Sequence, residues 1–305
     1  MPTIYFVGVT TAQSSIMRVF PRWAEILGLR AEIRGYDLPL DAPAESYRRI
    51  VTHIRHDSMA LGALVTAHKI SLLEAARDLF DYLDDSARLC GEVSSISKQA
   101  GALEGHAKDP ISSRLAWQAF VPPGYWGDHD AHVLCLGAGG AAIAIVAAVA
   151  GLENEADRPR KFIVVDRAAA RLAFLQAIVA KLDTEIEFEY RLNENSRQND
   201  ALLAALPAAS LVINATGMGK DRPGSPVTHA GVFPAQGLVW ELNYRGELDF
   251  LQQAKRQAHQ LNLTIEDGWV YFLHGWTQVI AQVFHLDLTP QLFAELDRAA
   301  SASRG

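Results

Sequence analysis

The chain has 305 residues, 49% of them hydrophobic and 21% charged, with a formal net charge of -7. That length suggests about two domains, each with its own core, and the composition excludes a disordered chain, a collagen-like repeat or a coiled coil. The acidic balance and the lack of a dense Lys/Arg run argue against a nucleic-acid partner, and Cys90 and Cys135 share neither CxxC spacing nor a nearby His pair, which argues against a disulfide framework or structural zinc.

The opening MPTIYFVGVTTAQ lacks the basic and apolar segments of a signal peptide, so a reducing cytoplasm is the expected compartment. Residues 3–9 read as a buried strand and 14–29 as a helix with Pro21 in its first turns. A strand at 31–37, a helix at 45–56, a strand at 60–66 and an amphipathic helix at 71–83 follow. Then come a short strand at 91–96 and a turn at Gly101. This alternation predicts a parallel sheet flanked by helices. The Pro/Gly/Asp-rich stretch 121–131 marks a loop between units. Beyond it, strands are expected at 132–136, 162–166, 185–190, 210–214 and 237–242, with helices at 141–150, 167–181 and 197–206. Two helices, 268–284 and 290–300, close the chain. The longest apolar run, 141–150, is too short for a membrane span of about 20 residues, so no membrane partner is expected.

GAGGAA at 137–142 lies between an apolar strand and a helix. Gly137, Gly139 and Ala142 fit the G-x-G-x-x-G/A dinucleotide fingerprint, with Gly140 and Ala141 opening the helix. The first glycine permits a tight turn, the second lets backbone approach a pyrophosphate, and the helix N-terminus offers free N–H groups to the phosphates. The next strand ends at Asp166. A carboxylate there suits ribose hydroxyls and predicts NAD, although a structural cap is the competing reading. Arg167 offers a cation to a 2′-phosphate, which keeps NADP as the alternative.

A hydride transfer from an alcohol needs a proton acceptor beside the carbinol oxygen. Lys69 follows the strand 60–66, and Asp109 stands in the turn GHAKDP. A Lys–Asp pair across a cleft would hold an alcohol between two hydrogen-bonding groups. By spacing alone, a surface lysine and a helix-capping aspartate compete with that reading.

The order of several short words resembles the shikimate/quinate dehydrogenase family over nearly the whole chain. ALVTAHK at 63–69 is similar to NVTxPxK, and GHAKD at 105–109 to GxNTD. The resemblance thereby places Lys69 and Asp109 on the family's catalytic lysine and aspartate. GEVSS at 91–95 resembles GAVNT, LGAGGAA at 136–142 the glycine loop, and INATGMG at 213–219 INATSxG, a loop lying near the nicotinamide. Asn214, Thr216 and Gly217 therefore join the expected cofactor contacts. VWELNYRG at 239–246 resembles VxDxxYxP, putting Tyr244 on a substrate-contacting tyrosine, and VGVTTAQSSIM at 7–17 resembles GxPxxHSxSP, putting Ser14 on its first serine.

The resemblance implies an N-terminal α/β substrate domain (1–115), a Rossmann-type NAD(P)-binding domain (116–267) and C-terminal helices at about 268–300 that return to the first domain. It also implies reversible hydride transfer between NAD(P) and a ring secondary alcohol of a cyclic polyol or cyclic hydroxy acid. Lys69 would be the acid/base and Asp109 would orient the hydroxyl. The departures fall on substrate contacts. The second serine of SxS is Ile16, the Asn and Thr of NVT are Ala63 and Val65, its Pro is Ala67, and the Asn of AVNT is Ser94. NTD has become Ala107-Lys108-Asp109, and the C-terminal glutamine falls on Gly275, with Gln278 three residues on. Each hydrogen bond lost to a buried hydroxyl costs about 1–3 kcal/mol, so these changes predict a substrate other than shikimate, or shikimate as a poor one. Lys108 is either a replacement partner for a substrate carboxylate or a solvated loop residue. His68 and His106 flank the catalytic candidates, but neighbouring residues of an extended segment point to opposite sides. The aromatic group Trp269, Tyr271, Phe272 and Trp276 reads as helix-packing core. Competing classes are a catalytically silent ligand or cofactor sensor on the same fold and another Rossmann enzyme acting on a folate or an aminated cyclitol.

Overall fold

The computed structural model describes residues 1–220 and 222–304, and the chain divides into two compact units. Residues 1–109 and 273–305 make the first unit, and 110–272 the second.

Among the described residues the first unit holds a six-stranded sheet. Its elements begin with β1 (Thr3–Gly8), α1 (Ile16–Ile26), β2 (Glu32–Asp37), α2 (Ala44–His56), β3 (Ala60–Val65) and α3 (Lys69–Ala76). They continue with β4 (Tyr82–Leu83), α4 (Asp85–Cys90), β5 (Ser95–Gln99) and β6 (Ala102–His106). The sheet order is β2-β1-β3-β5-β6-β4. β1 is wholly buried, consistent with its unbroken apolar run. The sheet core gathers Val7, Val65, Ile96 and Leu103 under Ile50, Ile54 and Leu72 of α2 and α3.

The expected all-parallel sheet needs correction here. β1, β2 and β3 run parallel, but β5 pairs antiparallel with both β3 and β6. The reason is local: β5 and β6 are joined by only Ala100 and Gly101, both at positive φ, and a two-residue link makes a hairpin whereas a parallel crossover needs a dozen or more residues. The expected strand at 91–96 also starts later, at Ser95, and the expected helix at 71–83 is the shorter α3.

The chain continues with α5 (Asp109–Phe120), α6 (Tyr125–Asp128), β7 (His132–Leu136), α7 (Gly140–Ala150), β8 (Lys161–Asp166) and α8 (Ala169–Val179). It runs on through β9 (Glu187–Leu192), α9 (Ser196–Ala204), β10 (Leu211–Asn214), β11 (Leu238–Glu241), α10 (Asp249–Leu261) and β12 (Thr264–Glu266). It ends in α11 (Trp269–Phe284) and α12 (Pro290–Ser301). The second unit's sheet has the order β12-β11-β10-β7-β8-β9, parallel throughout. This is the doubly wound Rossmann order, with its switch point between β7 and β10, where nucleotides bind at the carboxyl ends of strands. α7 is apolar almost all round, from Ala142 to Ala150, and correspondingly buried. No helix among the described residues is long and apolar enough to cross a membrane.

Candidate active site

The hairpin decides what meets in the first unit. Leu64 near the end of β3 pairs with Ser95 at the start of β5, and Ser95 pairs with His106 at the end of β6. Three segments therefore emerge at one end of the sheet: the one after β3, carrying Lys69; the one before β5, carrying residues 91–94; and the one after β6, carrying Lys108 and Asp109. Backbone bonds lock them together. Val65 N–H donates to the Ser94 carbonyl at 2.9 Å, Ser94 N–H to His106 at 3.0 Å, and Val93 N–H to the Lys69 carbonyl at 3.2 Å.

Lys69 and Asp109 meet there. The Lys69 ammonium donates to Asp109 Oδ2, with side chains 19% and 12% exposed. Each opens a helix, Lys69 that of α3 and Asp109 that of α5. The pair is shielded yet within reach of solvent.

Of the expected substrate contacts, Ser94 is fully buried and its hydroxyl accepts the Lys108 backbone N–H at 2.8 Å, which ties the two segments. The Lys108 side chain is half-buried; burial pushes its pKa down while nearby Asp84 and Glu104 push it up. It faces acidic neighbours, unlike a solvated loop residue. Ser14 is buried just before α1, and Gln278 is half-buried on α11. The departing residues Ile16, Ala63 and Val65 are completely buried core positions. Tyr244 lies in the second unit, packed on Trp269 and Phe272 with ring centroids 5.7 and 4.5 Å away.

The flanking histidines are engaged elsewhere. His68 is buried, with Nδ1 3.0 Å from the Tyr47 hydroxyl and Nε2 3.0 Å from the Leu38 carbonyl, and burial lowers its pKa. His106 sits between Asp84 and Glu104, each 3.3 Å away, and 3.1 Å from Ser97 Oγ.

In the second unit, Gly137 follows β7 at φ +110, and a Cβ there would stand 2.7 Å from the Ala215 carbonyl. The two loops at the switch point thus approach more closely than any other residue would permit. Gly139 caps α7 with no side-chain hydrogen bond, and a Cβ on it would meet nothing within 4 Å. The first N–H groups of α7 and the open space above Gly139 fit a nucleotide pyrophosphate. Asp166 accepts the Ala138 N–H through Oδ2 and the Ala168 N–H through Oδ1, both at 2.9 Å. It therefore braces the glycine loop and retains a lone pair on each oxygen. Arg167 is exposed, and Arg171 Nη1 stands 3.9 Å from Asp166.

Asn214 and Thr216 shape the second loop. The Asn214 amide donates to Glu241 Oε2 at 2.7 Å, and its oxygen accepts the Thr216 hydroxyl at 2.6 Å. Asn243 donates to Glu241 Oε1 at 2.6 Å and to the Met218 carbonyl at 3.1 Å. Burial pushes Glu241 up to about 7 despite these donors. Sequence reasoning passed over Glu241 and Asn243, although both stand in the word VWELN. It also passed over Glu92, a fully buried acid in the 91–94 segment, for which the acid in the apolar context CGEVSSI was the signal.

No family model matches the chain. Two solved structures share its fold. A shikimate 5-dehydrogenase from Thermus thermophilus, in complex with NADP(H) and shikimate, is 22% identical with TM-score 0.71, covering 98% of this chain and 100% of that one. A quinate dehydrogenase from Corynebacterium glutamicum in complex with NAD is 19% identical with TM-score 0.73, covering 98% of each chain. The shikimate dehydrogenase (NADP(+)) of Lactococcus lactis subsp. cremoris (strain MG1363) is 30% identical over 227 residues, which span 74% of this chain and 74% of that protein. With that identity over that span, the chain belongs to the shikimate dehydrogenase family of oxidoreductases.

Proposed function

We propose that the protein catalyses reversible hydride transfer between NAD(P) and a ring secondary alcohol of a shikimate- or quinate-like cyclic polyol acid. The observation that carries this reading is the shielded Lys69–Asp109 pair at the sheet end. The nucleotide is assigned to the second unit and the acid–base pair to the first. When bound, the nicotinamide would supply the hydride acceptor for the carbinol carbon. Lys69 in its neutral form takes the hydroxyl proton, and in the reverse direction its ammonium returns one. Asp109 accepts a hydrogen bond from the hydroxyl and holds the Lys69 side chain in place. Gly137, Gly139, Gly140 and Ala141 would cradle the pyrophosphate, and Asp166 would accept from the ribose hydroxyls. NAD is expected, and the exposed Arg167 is the feature that would admit NADP. Ser14, Ser94, Lys108, Tyr244 and Gln278 are assigned to the substrate, and the apolar core residues at 16, 63 and 65 favour a substrate with fewer hydrogen bonds than shikimate makes in its usual site.

The test is turnover of shikimate, quinate and related cyclitols with each cofactor. Lys69→Met should lower kcat about 100-fold or more while leaving cofactor affinity intact. Turnover retained by that variant removes Lys69 from the mechanism. Ligand-induced stabilisation without any hydride transfer would leave the sensor reading.

A further inference from the structure

Glu92 has no place in the mechanism above, and its surroundings are unusual for a carboxyl group. It is 1% exposed, and among the described residues neither side-chain oxygen has a hydrogen-bond partner. It stands where the resembling word GAVNT has alanine. Its segment is stitched to the site on both sides, through Val93 N–H to the Lys69 carbonyl and through Ser94 to Lys108. An ionised carboxylate in such a place costs several kcal/mol unless a cation and donors compensate it. The charged groups acting on it are Lys69 at the start of α3 and Asp109 at the start of α5. The Cys90 thiol at the end of α4 is the other titratable group beside it, and Asp84 reaches that thiol in turn. Lys69 is already engaged by Asp109.

We propose that Glu92, a buried and unpartnered third carboxyl on the segment tied to Lys69, is a positioning residue of the acid–base site that governs when Lys69 gives up its proton. This rests on the assignment of Lys69 as acid/base. Burial holds Glu92 at about 8, against the pull of the Lys69 ammonium, with Asp109 adding to the rise. At neutral pH Glu92 is therefore mostly neutral. As pH rises past about 8, Glu92 ionises. A second carboxylate then faces the ammonium and holds its proton to higher pH. The Lys69 ammonium acts on Glu92, and by the same interaction an ionised Glu92 acts on Lys69. Alcohol oxidation, which needs neutral Lys69, then rises only at higher pH, and ketone reduction, which needs the ammonium, is extended to higher pH.

Two measurements on the full chain test this. In the first, kcat and KM are followed from mildly acid to alkaline pH in both directions for wild type, Glu92→Gln and Glu92→Asp. Glu92→Gln should move the limb governed by Lys69 toward lower pH by about one unit or more, through kcat rather than KM, and Glu92→Asp should restore most of the wild-type position. An unmoved limb overturns the proposal. The second measurement needs no turnover. The infrared carbonyl band of a protonated carboxyl is followed against pH in wild type, with Glu92→Gln and Glu241→Gln variants assigning the bands. The Glu92 band should persist above neutrality and titrate at higher pH in Lys69→Met, where the ammonium is gone. A Glu92 that titrates in the ordinary carboxylate range, or ignores Lys69→Met, overturns the proposal. If wild type turns over none of the substrates, the functional reading fails while the infrared coupling still decides whether Glu92 and Lys69 act as one unit.

Discussion

Two glycines two residues apart in one loop should separate folding from nucleotide binding. Gly137 is held at φ +110, where an L side chain is strained by about 1–3 kcal/mol. Its added methyl would also press on the Ala215 carbonyl from 2.7 Å, and that carbonyl is backbone and cannot rotate away. Gly137→Ala should therefore cost about 3 kcal/mol. For a unit of this size that lowers Tm by about 6–12 °C. Gly139 has ordinary extended angles, φ -86 and ψ -171, with open space around the methyl. Alanine is a poorer helix cap than glycine, but it stiffens the unfolded chain, and these effects of about 0.5–1 kcal/mol offset each other. Gly139→Ala should leave Tm within a few degrees of wild type. It should nonetheless weaken NAD+ and NADP+ binding about tenfold or more, because its methyl occupies the space the pyrophosphate needs, and tenfold is about 1.4 kcal/mol. Scanning calorimetry reads the first effect and fluorescence titration of the cofactor the second. If both variants lose stability alike, or if Gly139→Ala binds the cofactor as wild type does, the assignment of the loop is wrong.

Glu241 gives a pH prediction. Its folded value of about 7 lies above the unfolded 4.5, so its stabilisation is complete below 4.5 and is lost as pH rises through 7. The swing is about 3 kcal/mol, and urea unfolding of Glu241→Gln should show a flatter profile between those limits. An unchanged slope would refute it. His274 has the opposite sign. Burial lowers it to about 4 from 6.5, so its contribution is present above 6.5 and fades as pH falls through 4, and His274→Phe should remove that acid sensitivity. Cys90 and Cys135 are buried, with thiols pushed up to about 12. A thiol reagent should leave both untouched in the folded protein at neutral pH and label both in denaturant. Rapid labelling of the native chain would contradict their burial.

The glycine loop was legible because its spacing answers to backbone geometry: a positive φ and a close carbonyl admit one residue type. Lys69 and Asp109 were legible only through their surrounding words, since nothing local to either residue says that they meet. What brings them together is the β5–β6 hairpin, and that was hidden. β6 is a five-residue ALEGH with a glycine in it, too short and too irregular for a strand pattern. The helix α5 was also passed over, although Asp109-Pro110 is a common way to begin one. Glu92 was only half legible: its apolar context CGEVSSI marked it as unusual but did not show that it is buried. Acids are almost always exposed, so a fully buried one shows itself only when the chain is folded around it.

The hairpin has a further consequence. Its turn at Ala100-Gly101 lies at the far end of the two strands from the lysine and aspartate, so residues added there would lengthen the ribbon and leave the chemistry undisturbed. A slip of one residue in the pairing of Ser95 with His106 would do the reverse. It would carry the two reactive segments about 3.4 Å past each other and turn their side chains to opposite faces. Strand alignment, more than the length of that turn, is what holds Lys69 and Asp109 within reach of each other.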